Sequence, residues 1–102
     1  MAEAPRLLFA VPADHPVLRG HFPGRPIVPG VMLLEWVLEA AARDQARAPA
    51  SLRVREAKFF TPLAPAQRAE LLLEPGERRC GFRVMHGDVL IARGLLEWDA
   101  DG

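Results

Sequence analysis

The sequence has a single cysteine, Cys80, so no disulfide can form within the chain. A protein without disulfides fits a reducing compartment. Cys80 alternates with Phe82 and Val84 along a predicted strand, which places the three on one face. We therefore expect Cys80 to be a small buried apolar residue rather than a nucleophile.

Net charge is also absent, because 13 Lys and Arg residues balance 13 Asp and Glu residues. This balance argues against bulk nucleic-acid binding. Long apolar runs are missing: no stretch approaches the roughly 20 residues of a membrane helix, and the N-terminal run is broken at Pro12, too early for a signal peptide. We expect a soluble cytoplasmic protein.

What is present is a chain of 102 residues, half of them hydrophobic, which is enough for one domain over residues 1–102. A domain of this size often depends on a partner subunit. Residues 12–30 contain five prolines and three glycines and predict an ordered, irregular loop. A loop this long in so small a domain usually has a function.

Helical spacing of Val31, Leu34, Leu38 and Ala41 predicts a helix from Gly30 to about Ala46. Strands are predicted on both sides of it, at residues 6–11, 52–60, 68–74, 77–86 and 89–98. Pro75-Gly76 and Gly87-Asp88 read as turns, so the last three strands should form an antiparallel meander. One helix on an antiparallel sheet is an α+β arrangement.

The segment HFPGRPIVPGVMLLE, from His21 to Glu35, could carry chemistry. His21 lies in the stiff loop and could act as a base near neutral pH. Gly30 begins the helix, where unpaired N–H groups can stabilise a developing oxyanion. Glu35 follows on an apolar helix, where partial desolvation should raise its pKa and favour the acid form. These are the groups needed for β-elimination from a thioester. From the residues alone, it remains open whether His21 is simply solvated and whether Glu35 lies on the solvent-facing side of the helix.

The same segment resembles the signature HFPGxPxxPGVLxxE of the 3-hydroxyacyl-acyl-carrier-protein dehydratases, with Met32 replacing a leucine. The 14-residue separation between His21 and Glu35 is that of the family. VREAKFFTPLAPAQRAEL and VMHGDVLIARGLLEW resemble the family's later strands more weakly, so the resemblance covers most of the chain.

This resemblance implies a hot-dog fold, in which a sheet of about five strands wraps around one long helix. It implies that His21 is the catalytic base, that Glu35 is the acid and that the Gly30 amide binds the carbonyl. It further implies that two subunits pair and that each active site takes its histidine from one chain and its acid from the other. The substrate that it implies is a (3R)-3-hydroxyacyl group on the 4'-phosphopantetheine arm of acyl carrier protein, with no cofactor or metal. Residues expected to contact the substrate are Phe22, Pro29, Val31 and Trp36.

Departures from the signature bear on the pathway. Glu35-Trp36 is more similar to the short dehydratase-like proteins of aryl-polyene and xanthomonadin-type pigment clusters. The usual Pro-Gly-Asp turn is Pro65-Ala66-Gln67. Trp36 could shape an acyl tunnel, although core or dimer packing is the commoner role for such a residue. Fatty-acid, polyketide and pigment synthesis all remain open.

Functions other than dehydration are also compatible with the sequence. A hot-dog thioesterase would also use a helix carboxylate but would not need His21. An accessory subunit that binds carrier protein or a partner dehydratase would need neither residue, and double-bond isomerisation cannot be separated by sequence. Basic residues could dock acidic carrier protein or could be ordinary surface charges; these are Arg19, Arg25 and Arg43. His15 and His86 lack partners at metal-ligand spacing.

Overall fold

The computed structural model describes residues 6–12, 14 and 27–99. Within this part of the chain the element order is strand, helix and four strands. The elements are β1 (Arg6–Phe9), α1 (Gly30–Asp44), β2 (Arg53–Phe59), β3 (Ala69–Gly76), β4 (Arg79–His86) and β5 (Val89–Glu97), with a turn of 3₁₀ helix at Pro49–Ser51 before β2. The predicted α+β arrangement is confirmed.

The five strands form one antiparallel sheet in the order β1-β3-β4-β5-β2. The meander predicted for the last three strands is confirmed, since β3 pairs with β4 and β4 with β5. The strands on either side of the helix in sequence, β1 and β2, lie at opposite edges of the sheet. Among the described residues, strand β2 therefore pairs only with β5 and has one free edge.

The predicted turn at Pro75-Gly76 is wrong by two residues. Pro75 and Gly76 continue β3, because they remain paired with Cys80 and Arg79 across the ladder. The chain reverses at Glu77-Arg78, where Arg78 adopts a φ of 58°. A proline at the end of a strand fits where it has no ladder hydrogen bond to donate.

One face of the sheet forms the core with α1. The inward side chains of β3, β4 and β5 and the apolar stripe of α1 belong to a single buried cluster. Cys80 is fully buried in it, as predicted. The largest fully buried side chains of the sheet are Leu71, Leu73, Val84 and Leu96.

The buried face of α1 coincides only in part with the residues whose spacing predicts the helix. Leu33, Val37, Ala40 and Ala41 pack into the core, whereas Val31 is 70% exposed. The helix is apolar on most of its circumference, so the spacing of its leucines alone could not select the buried face. At 15 residues, α1 is too short to span a bilayer, and no other helix in the described part of the chain is a candidate.

Candidate active site

The N-terminus of α1 is the first component of the site. Pro29 precedes the helix in an extended conformation and provides no side-chain cap. The first helical hydrogen bond is donated by the Leu33 N–H to the Pro29 carbonyl at 3.2 Å. The N–H of Gly30 lies in the first turn, before the helical hydrogen bonds begin. Such N–H groups carry partial positive charge and can donate to an oxygen that gains negative charge. Gly30 therefore starts the helix as predicted.

A cavity of about 460 Å³ opens beside this helix end. Its volume lies within the range of about 300–1,000 Å³ that is usual for ligand pockets. Thr61 supplies its polar side chain, and the remaining described residues that line it are apolar or glycine. They are Ile27, Val28, Gly30, Leu33, Phe59, Phe60, Pro62, Leu63 and Ile91. The cavity thus suits an acyl chain better than a charged ligand.

Phe59 makes the tightest approach to Gly30. A Cβ built on Gly30 would lie 3.1 Å from Cζ of Phe59, and the next two nearest atoms also belong to that ring. The sequence gives no indication of this contact, because an aromatic residue at a strand end is typical of core or interface packing. The contact with Gly30 depends on how α1 lies against β2.

Glu35 is exposed in the single chain. The expectation that the helix would desolvate its carboxyl is therefore not met by this chain alone. The reason is angular: Glu35 lies five residues after Gly30, so at 3.6 residues per turn the two point about 140° apart. Gly30 lines the cavity, and Glu35 faces away from it.

Other residues expected at the site are spread along the helix. Val31 is exposed beside Gly30. Trp36 stacks on Phe9 of β1 with ring centroids 4.3 Å apart, and β1 lies at the opposite edge of the sheet from β2, whose Phe59 lines the cavity. Trp36 and Arg43 line a second groove of about 340 Å³. The structure thus separates Trp36 and Arg43 from the cavity at Gly30.

Four of the predicted site residues lie outside the described residues: Arg19, His21, Phe22 and Arg25. Their roles stay predictions. The parts of the site that the structure brings together are Gly30, the cavity and Phe59.

In the described part of the chain, the ionisable groups whose pKa is shifted by their surroundings lie away from this cavity. Arg53 forms an ion pair with Asp99 at 3.1 Å and lowers the pKa of that carboxyl. Burial raises the pKa of the Cys80 thiol. No group of three or more His, Cys, Asp or Glu residues that could hold a metal ion occurs among residues 6–12, 14 and 27–99.

Exposed apolar side chains gather near the free edge of β2. Val54 is 36% exposed, Phe59 50% and Phe60 51%. Val31 of α1 is 70% exposed, and Leu34 and Leu38 of α1 are only partly buried. An unpaired strand edge bordered by apolar side chains is typical of a surface that binds another subunit.

Comparison with known proteins places these features in a family. Residues 2–94 match the model of the ApeI-like family, described as ApeI dehydratase. A 3-hydroxyacyl-[acyl-carrier-protein] dehydratase FabZ from Nitratiruptor sp. is 31% identical over 101 residues, covering 84% of this chain and 67% of that protein. The chain spans 59–67% of the length of this relative and two similar FabZ proteins.

Solved structures show the same fold. The dehydratase heterocomplex ApeI:P from Xenorhabdus doucetiae matches with a TM-score of 0.75 and 21% identity, over 96% of this chain and 88% of that one. The fluoroacetyl-CoA thioesterase FlK matches with a TM-score of 0.59 and 20% identity, over 95% and 86%. The fold is therefore shared by dehydratases and thioesterases and does not choose between them. The family model matches most of the chain: the chain is a hot-dog protein that belongs to the ApeI-like dehydratase family.

Proposed function

We propose that this protein removes water from a (3R)-3-hydroxyacyl thioester to give the trans-2-enoyl thioester. The observation that carries the proposal is the apolar cavity at the uncapped start of α1, which lies inside the dehydratase-like motif. Membership of a dehydratase family supports the reaction type. An apolar cavity that ends at a helix N-terminus provides both a place for an acyl chain and a donor for its carbonyl.

The reaction needs three groups. The Gly30 N–H donates to the thioester oxygen and makes the α proton more acidic. His21 takes that proton as the α C–H bond breaks and the double bond forms. Glu35 gives its proton to the hydroxyl, which leaves as water when the C–O bond breaks. The protein is left with a protonated imidazole and a carboxylate, and exchange of one proton each with solvent restores both groups.

The site requires two subunits. Glu35 points about 140° away from Gly30 around the helix, so it cannot reach the cavity of its own chain. A second subunit bound along the free edge of β2 would cover the exposed Phe59 and Val31 and bring its own carboxyl to the cavity. Each site would then combine His21 and Gly30 of one chain with Glu35 of the other. Both a homodimer and a heterodimer with a related dehydratase satisfy this arrangement.

The substrate carrier follows from the same proposal. Acyl carrier protein would present the acyl group on its 4'-phosphopantetheine arm, and the elimination needs no cofactor or metal. The acyl chain belongs to fatty-acid, polyketide or aryl-polyene synthesis, with the Glu35-Trp36 pair favouring pigment-type polyenes. Arg43 is exposed in the last turn of α1 and is available to an acidic carrier protein.

The test is to supply a 3-hydroxyacyl-pantetheine thioester and follow enoyl-thioester absorbance and free thiol separately. The wild-type protein should form the enoyl product without releasing thiol. Glu35→Gln should keep the fold and lose at least about 100-fold in kcat, a loss typical of removing a general acid, because an amide has no proton to give to the leaving hydroxyl.

The matched control is Glu39→Gln, one turn further along the exposed side of α1. It should retain the wild-type rate. Thiol release in place of enoyl formation would identify a thioesterase. A Glu35→Gln variant that works at the normal rate would remove Glu35 from the mechanism.

A further inference from the structure

Phe59 is held at the mouth of the cavity by the end of strand β2. Its backbone is paired with Ala92 of β5, and the next residue, Phe60, donates its N–H to the Ile91 carbonyl at 2.8 Å. Ala92 is small and fully buried, so the ring of Phe59 has no large cross-strand neighbour on β5 to displace it from the helix end. Pairing of β2 with β5 thus fixes the backbone position from which the Phe59 ring extends.

The ring extends to Gly30. Three of its atoms, Cζ, Cε1 and Cε2, lie 3.1, 3.3 and 3.5 Å from the position that a Cβ on Gly30 would occupy. One edge of the ring therefore closes the space beside the first residue of α1. The side chain remains half exposed and also lines the cavity.

We propose that Phe59 is a specificity-determining residue that limits bulk on the acyl carbon next to the thioester carbonyl. The inference rests on the proposed function, in which the Gly30 N–H binds the carbonyl oxygen. A hydrogen bond of about 2.9 Å keeps the carbonyl and its neighbouring carbon within a few ångströms of Gly30. The Phe59 ring occupies that same neighbourhood, so a straight acyl chain fits and a chain branched at this carbon meets the ring.

The adjacent aromatic residue has a different environment. Phe60 lines the same cavity, but its ring lies under the Arg93 guanidinium, 5.6 Å from the ring centroid. None of the three atoms nearest to the Gly30 Cβ position belongs to Phe60. Phe60 is therefore a control of equal size on the same strand end.

The experiment compares two pantetheine thioesters, 3-hydroxybutyryl and 2-methyl-3-hydroxybutyryl. The measured quantity is the ratio of their kcat/KM values in the wild-type protein, in Phe59→Leu and in Phe60→Leu. Phe59→Leu should reduce the preference for the unbranched substrate about tenfold, the scale at which a hydrophobic pocket discriminates a methyl group. Phe60→Leu should leave the ratio within about twofold of the wild type.

A second variant tests the contact itself. In Gly30→Ala the N–H is kept, but the new methyl group pushes against the Phe59 ring. This variant should lose activity on the unbranched substrate, and adding Phe59→Leu should restore at least part of it. Sedimentation velocity on every variant reports whether subunit association has changed.

The outcomes separate the two claims. If the wild type forms no enoyl product from either thioester, the proposed function fails. If the wild type is active but both leucine variants keep its substrate ratio, the role of Phe59 fails while the function stands. A Phe59→Leu variant that dissociates and keeps the wild-type ratio would show that Phe59 is only an interface residue and would overturn the inference.

Discussion

Cys80 is the residue whose chemistry is changed most clearly by the fold. It is fully buried on the core face of β4, and its Sγ lies 3.5 Å from the Gly81 carbonyl oxygen. Burial raises the pKa of the thiol, and the carboxylate of Asp44 raises it further. The thiol is therefore kept protonated in the folded protein at pH values where an unfolded chain would begin to lose that proton.

This shift predicts a loss of stability in alkali. The unfolded chain releases the thiol proton near its ordinary pKa of about 8.5, whereas the folded chain retains it. The free energy of unfolding should therefore fall as pH rises from that value towards the raised pKa of the folded state.

Urea unfolding near neutral pH and at about pH 10 measures the effect, with Cys80→Ala as the comparison. The stability difference between wild type and Cys80→Ala should shrink in alkali. A difference that is the same at both pH values would contradict the assignment.

Glu35 and Phe59 show how much of the candidate site could be predicted from the sequence at the scale of single residues. The spacing of the motif correctly places Gly30 at the start of a helix, because Pro29 and Gly30 are local signals. The exposure of Glu35 depends on how α1 packs against the sheet. The contact between Gly30 and Phe59 of β2 joins residues that are 29 positions apart in sequence. Neither the exposure of Glu35 nor the contact between Phe59 and Gly30 can be inferred from the local sequence pattern.

At the scale of elements, the turn before β3 contains a residue in an unfavourable backbone conformation. Ala66 has a φ of 69°, the left-handed region that favours glycine. Its N–H donates to the Val11 carbonyl at 2.6 Å, and the Gln67 side chain accepts from the Ala64 N–H at 2.9 Å. Gln67 thus provides the turn-closing acceptor, while Ala66 occupies the left-handed position of the turn.

Ala66→Gly should therefore stabilise the protein by about 1 kcal/mol. The left-handed conformation costs a residue with a Cβ about 1–2 kcal/mol, and the added freedom of glycine in the unfolded chain offsets part of the gain. Chemical denaturation measures the change. Ala64→Gly, in the same turn but without a positive φ, should destabilise the protein by roughly 0.5–1 kcal/mol. Equal effects of the two substitutions would contradict the explanation.

The elements themselves could largely be predicted from the sequence. Alternation of apolar residues gives the strands. Proline or glycine marks the turns at Pro65 and Gly87 but not the one at Glu77-Arg78. The buried face of α1 could not be predicted, because Val31, Leu34 and Leu38 repeat at the same helical spacing as Leu33 and Val37. The placement of β1 and β2 at opposite edges also depends on long-range pairing rather than local pattern.

At the scale of the whole molecule, the single chain holds an incomplete site. The cavity and the Gly30 amide lie on one side of α1, and the Glu35 carboxyl faces another. The exposed apolar residues near the free edge of β2 explain why a second subunit would bind there. Under the proposed mechanism the reaction would therefore need a pair of subunits.

Mixing two inactive variants tests this shared site most directly. His21→Ala and Glu35→Gln should each form no enoyl thioester alone. When the two are unfolded together and refolded, half of the dimers should contain one chain of each kind, and each of those should have one intact site. Activity should return to about one quarter of the wild-type value per chain, as random pairing of subunits requires. If the mixture stays as inactive as its components while sedimentation shows that mixed dimers form, both groups must come from the same chain, and the two-subunit site is wrong.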